Sequence, residues 1–119
     1  AELLSSRDEE RREVAAIALG ESHLEAAFDP LRQACERALL PADRKAPLLG
    51  LSLLRSEAAF SYLLERVSEA SEPEARQALE ALAVFRHDQD LCERALRAAA
   101  GRSKDFQVFA REKLAPRSA

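Results

Sequence analysis

The chain has no tryptophan, no methionine and one tyrosine, and its 119 residues include only three glycines, five prolines and two cysteines. So few turn formers and aromatics, set against 47% apolar and 33% charged residues, exclude a sandwich of short strands or a disordered chain and favour helix. Two cysteines without tight spacing carry no metal signature and leave the compartment open. Long hydrophobic runs are also missing. The longest, Ala46 to Leu54, is nine residues, contains Ser52 and is too short to span a bilayer. There is no excess of positive charge: the net charge is -3 and the pI about 5.5, so no field draws phosphate backbones or anionic lipid. Neither nucleic acid nor a membrane is an expected partner. With no initiator Met and no signal peptide, the chain reads as a processed protein or a piece of a longer one, and the expected location is cytoplasmic.

What the sequence does have is length enough for one domain with a real core, and an internal repeat. "EAAF" stands at Glu25 to Phe28 and again at Glu57 to Phe60, 32 residues later. The same offset lays "PADRKA" (Pro41 to Ala46) over "PEARQA" (Pro73 to Ala78) and aligns Arg12, Arg44 and Arg76. Each of these arginines opens a helical run, and three copies at such a period indicate a solenoid or array. A second set, "ACERAL" at Ala34, "LLERVS" at Leu63 and "LCERAL" at Leu91, recurs at 28 or 29, as expected when turns absorb length differences.

Helix starts are expected at the capping boxes Ser6/Glu9, Ser22/Glu25 and Ser71/Glu74, where a Ser oxygen accepts a free amide and a Glu reaches back. Asp29 before Pro30 reads as a further N-cap, and Ser56, Asp88 and Ser103 as the others. The 3.6-residue period puts Phe60, Leu63, Leu64 and Val67 on one face, Leu91, Cys92, Ala95, Leu96 and Ala99 on another, and Leu31, Ala34, Cys35 and Ala38 on a third. The opposite stripes are charged. The stretch around Ala46 to Leu54 is apolar nearly all round and should be covered on several sides. Arginine outnumbers lysine fifteen to three, which supplies planar donors for carboxylates, although most such charges on helices form a solvated face.

Pro73, Arg76, Ala78, Leu79, Ala81 and Leu82, with Pro41, Arg44, Ala46, Gly50 and Leu51, resemble the HEAT-repeat family, in particular its short bacterial members labelled after phycobilisome lyases. The likeness runs from about Asp8 to Leu114. It implies an all-α, right-handed α-α superhelix of the HEAT or armadillo kind, in one domain over 1–119, with repeats at 7–40, 41–71 and 72–101 and a half repeat at 103–115. Pro47 inside a first helix and Leu79 in place of a small residue depart from the pattern. In that family second helices line a concave side, which would gather Arg37, Tyr62, Arg66, Arg94 and Arg97 into a ridge. Arg and Tyr are enriched at binding hot spots. The resemblance therefore implies a non-enzymatic protein-binding scaffold, with another protein or an acidic or mixed-charge peptide as partner. The alternatives are an enzyme-assisting relative, bilin-lyase-like or glycosylase-like, and a structural spacer in a longer chain.

No residues are expected to be catalytic, to hold a cofactor or to bind a metal. Cys35 and Cys92 share the motif "CERAL", yet a unit apart they would lie about 20 Å from each other, beyond the ~7 Å reach of a disulfide, and read as small core residues. His23 and His87 each open a second helix, where a turn residue is solvated, and two ligands are too few for zinc. His87 and Cys92 are five apart, about 140° round a helix, and so do not form a nucleophile and base pair. A DNA groove requires one-signed charge and aromatic platforms, whereas here Glu accompanies Arg on every outer stripe.

Overall fold

The computed structural model describes residues 9–115. It has α1 (Glu9–Glu21), α2 (Phe28–Arg37), α3 (Pro41–Leu54), α4 (Glu57–Glu69), α5 (Glu72–Leu82), α6 (Gln89–Ala99) and α7 (Lys104–Leu114). Short 3-10 turns at Glu25–Ala27 and Ala83–Phe85 lead into α2 and out of α5. No strand occurs among the described residues, and the protein is all-α.

Three expected N-caps are in place. The Ala59 amide donates to the Ser56 hydroxyl at 3.1 Å, the Leu91 amide to the Asp88 carboxylate at 3.1 Å and the Phe106 amide to the Ser103 hydroxyl at 3.2 Å, each satisfying one of the free donors at a helix start. Three others differ. The Ser22 hydroxyl donates to the Leu19 carbonyl at 2.6 Å and accepts from the Leu24 amide at 3.2 Å, so it closes α1 instead of opening the next segment. Ser71 holds the N-cap position of α5 but its side chain makes no cap bond; Glu74 turns to Arg66 instead, since a carboxylate gains more from a cation than from an amide. Asp29 is not a cap. Ala27 holds that position, and Asp29 and Pro30 fall in the first turn of α2, where a missing N–H costs little and an acid suits the helix dipole. Ser6 lies outside the described residues.

The chain divides into two compact units, Ala1–Ser61 and Tyr62–Ala119, with the division inside α4. In the first, α3 packs against both α1 and α2, as its all-round apolar character requires. Ala46, Pro47, Leu48, Gly50, Leu51, Ser52 and Leu54 are buried. Pro47 has no N–H for the preceding turn, and the buried hydroxyl of Ser52 donates to the Leu49 carbonyl of its own helix at 2.7 Å. The approach of α1 to α3 is unusually close. A Cβ on Gly20 would run into the Gly50 carbonyl, and one on Gly50 would stand 2.5 Å from the Ala16 carbonyl oxygen and 2.9 Å from Leu31 Cδ2. Neither glycine has a positive φ, so their role is to let two backbones meet.

In the second unit α5, α6 and α7 pack on one another, with Ala75, Ala78, Leu79 and Leu82, then Leu91, Ala95 and Ala99, then Phe106, Ala110 and Leu114 inside. Alanine dominates these faces, and short side chains permit close packing of short helices.

Several positions 32 apart share their environments, although others, such as buried Leu48 and exposed Glu80, do not. In the two "EAAF" copies Glu25 and Glu57 are exposed, Ala27 and Ala59 buried, Phe28 and Phe60 half-buried. Leu31 and Leu63 are buried, as are Cys35 and Val67, and so are Ala46, Ala78 and Ala110. The "CERAL" match is different. Cys35 is buried near the end of α2, which stops at Arg37 and leaves Leu39 90% exposed, while Cys92 sits half-buried in the first turns of α6. The two cysteines are thus not equivalent: a shared pentapeptide met two different helix registers. Leu31, Leu63 and Leu91 are the positions that correspond in burial.

The Gly50→Ala change is expected to cost about 1–3 kcal/mol through overpacking and to lower the urea midpoint. Gly101→Ala, with nothing within 4 Å of the added carbon, should leave the midpoint unchanged or raise it slightly.

Candidate binding surface

Tyr62 and Arg66 stand one turn apart on α4, a spacing that brings side chains together. The Arg66 guanidinium lies 5.9 Å from the centre of the Tyr62 ring. Its Nη2 is 2.6 Å from Glu65 Oε1 and its Nη1 3.6 Å from Glu74 Oε2 in the first turn of α5, while its Nε is buried without a hydrogen-bond partner. Burial works against the charged form of Arg66, but its hydrogen bond to Glu65 and the Glu74 and Glu65 carboxylates outweigh it and raise its pKa. Two acids therefore accompany one base, and this is not a basic patch.

Of the other residues in the expected ridge, Arg94 is half-buried and Arg97 exposed on α6, and they fall one turn apart. Arg37 is exposed at the last position of α2 and belongs to the first unit. The described contacts join Tyr62 to Arg66. Elsewhere the outer stripes pair with themselves: Arg32 bridges Glu36 at 2.9 Å and Asp29 at 3.6 Å, and Arg76 reaches Glu72 at 3.9 Å. Such exposed pairs contribute about 0–1 kcal/mol each.

His23 is exposed and takes a left-handed φ of 56°; its Nδ1 is 3.3 Å from the Leu54 carbonyl, where an Nδ1–H would cap the end of α3. His87 is exposed. No group of three His, Cys, Asp or Glu able to hold a metal occurs among the described residues, and no described helix is long and apolar enough to cross a membrane.

Two arrangements have no forewarning in the sequence. Arg102, in the connection between α6 and α7, donates Nη1 to the Val67 and Ser68 carbonyls at 3.3 and 2.9 Å and Nη2 to the Ala70 carbonyl at 2.7 Å, with its guanidinium 5.2 Å from the Phe106 ring centre. It caps the free carbonyls at the end of α4. Arg76 lies over Phe109 at 4.4 Å and Phe106 at 5.8 Å, and Lys113 over Phe109 at 5.8 Å. Phe106 is fully buried, and the half-buried Phe109 is shared by two cations. A cation on a helix offers no clue to which ring it will cover.

A depression of about 350 Å³ is lined by Glu80, Ala83, Val84, Arg86, Glu112, Lys113 and Ala115. Behind it the Cys92 thiol donates to the Arg86 carbonyl at 3.3 Å and faces the Leu114 carbonyl at 3.9 Å. Burial first, and Asp88 second, push this thiol above its usual value of about 9.0.

No protein-family model matches the chain, and no curated protein or solved structure matches it either.

Replacing Arg102 with Ala or Lys should cost about 1–3 kcal/mol, because Lys cannot reach three carbonyls with a planar fork; thermal melts of the three proteins check this. The raised Cys92 pKa means the folded protein holds the thiol proton to higher pH than the unfolded chain. Stability linked to Cys92 is therefore full below pH 9.0 and falls as pH rises through the folded-state value. Urea midpoints should decline above pH 9.0, and Cys92→Ser should decline less.

Proposed function

We propose that the protein is a non-enzymatic binding scaffold, a right-handed superhelix of three HEAT-like helical hairpins and a last helix, whose second helices present a surface to a peptide of mixed charge. The observation that carries this reading is the sharing of environments at a spacing of 32. Glu25 and Glu57, Ala27 and Ala59, Phe28 and Phe60, and Leu31 and Leu63 match in burial residue for residue, which is what stacked copies of one supersecondary unit produce. Copies that repeat in the core and vary outside suit a scaffold, because packing constrains the inner face while the outer face is left to recognition.

Tyr62, Arg66, Arg94 and Arg97 are the surface positions of choice on α4 and α6, with Arg37 their counterpart on α2. Glu65 and Glu74 beside Arg66 favour a partner carrying both signs over a purely acidic one. An acidic segment reaching Arg66 would meet two carboxylates already there. Tyr62 supplies the apolar and hydrogen-bonding contact around which such charges act as a rim.

Affinity capture with chemical crosslinking from source cells tests the proposal. Wild-type protein should retain a partner crosslinked near α4 and α6. Tyr62→Ala with Arg97→Glu should reduce its retention about tenfold, the loss expected of a hot spot of ~1.4 kcal/mol, with an unchanged circular dichroism spectrum. Equal retention by a folded variant would remove the α4 and α6 surface from the reading.

A further inference from the structure

The depression between the C-terminal ends of α5 and α7 gathers charged side chains of both signs that do not neutralise one another. Glu80 and Arg86 come from the α5 side, Glu112 and Lys113 from α7. None of the four forms an ion pair among the described residues, unlike the Arg66 and Arg76 clusters of the same unit. Arg86 spends Nη1 on a 3.4 Å contact with the Ala83 carbonyl, and its Nε is buried with no acceptor. The Lys113 ammonium lies toward the Phe109 ring.

We propose that this depression is a binding subsite for a ligand carrying a carboxylate and a guanidinium joined by a short alkyl chain. The reading is independent of the scaffold proposed above. The four side chains sum to zero charge, so a simple anion or cation meets nearly equal attraction and repulsion. A ligand with both groups gains at each end. Its carboxylate meets Arg86, whose guanidinium has donor capacity left over, and Lys113. Its guanidinium meets Glu80 and Glu112, which can take a planar fork from two sides, beside two helix C-termini whose partial negative charge favours a cation. Val84, 45% exposed on the rim, offers apolar surface to the alkyl link. The Cys92 thiol on α6 lies between the two walls, 3.3 Å from the Arg86 carbonyl of one and 3.9 Å from the Leu114 carbonyl of the other. About 350 Å³ suits an amino acid or the end of a peptide.

A titration of the full chain followed by amide NMR shifts provides the test, with L-arginine carrying both charges, butylguanidinium the cation alone and butyrate the anion alone. L-Arginine should shift the amides of Val84, Arg86, Lys113 and Ala115 saturably, with a Kd on the order of millimolar for a few exposed ion pairs, and each single-charge compound should bind at least several-fold more weakly. N-acetyl-L-arginine, which mimics a peptide's C-terminal arginine, separates the sources: equal binding assigns a peptide end, weaker binding a free amino acid. Glu80→Gln with Glu112→Gln should weaken L-arginine about tenfold, and Lys113→Gln, on the exposed side of α7, should also weaken it without affecting the fold. Butylguanidinium binding as tightly as L-arginine, no saturable shift at these amides, or variants that bind like wild type would each overturn the proposal.

Discussion

Seven short helices among the described residues end in free carbonyls many times over, and meeting them is the constraint on which the rest of this structure depends. Each helix leaves its last carbonyls without a partner in the helix, and in helices of 10–14 residues these ends are a large share of the backbone. Some are met locally, as where Ser22 returns to Leu19. Several others are met by side chains from outside the helix that ends there. His23 reaches Leu54, Arg102 reaches Val67, Ser68 and Ala70, and Cys92 reaches Arg86 and Leu114. His23 and Arg102 sit in connections between helices and Cys92 in the first turn of α6, so that connections and helix starts act as clamps.

The second constraint is distance. Helices this short bury little surface each, and they compensate by approaching closely through alanine and glycine. Gly20 and Gly50 let the backbones of α1 and α3 touch, and in the second unit Ala78, Ala95 and Ala110 are fully buried on the inner faces. With the inner faces made small and uniform, the outer faces carry nearly all the chemical variety. The charged pairs, the half-buried Phe109 with its two cations and the depression at the ends of α5 and α7 all lie there.

Much of the fold was legible in the sequence. The helical runs opened by Arg44 and Arg76, the buried character of Ala46 to Leu54 and the caps at Ser56, Asp88 and Ser103 follow from periodicity and local hydrogen bonding, which act within a few residues. The errors have a common source. Ser22 and Ser71 have capping chemistry, but a hydroxyl takes whichever partner the surrounding chain presents: Ser22 donates back to the Leu19 carbonyl, and Ser71 makes no cap bond. "CERAL" occurs twice, but the helix containing the first copy stops at Arg37 and the other runs on to Ala99. Identity of residues therefore gave no identity of register. Of the expected ridge, the pairing of Tyr62 with Arg66 was legible because four residues make one turn, whereas the presence of Glu74 against Arg66 required α4 and α5 to meet.

The sequence by itself determined that the protein is helical, where the helices capped by Ser56, Asp88 and Ser103 begin, and that segments such as "EAAF" recur 32 residues apart. These properties arise from interactions between near neighbours and from the spacing of apolar residues. Only the tertiary structure decided which arginines are spent, Arg66 on two carboxylates and Arg102 on three carbonyls, and which charges remain, as at Glu80, Arg86, Glu112 and Lys113. A charge acquires its partner from whatever the fold brings within about 4 Å, and that is set by packing between distant segments, not by the residues beside it in the chain.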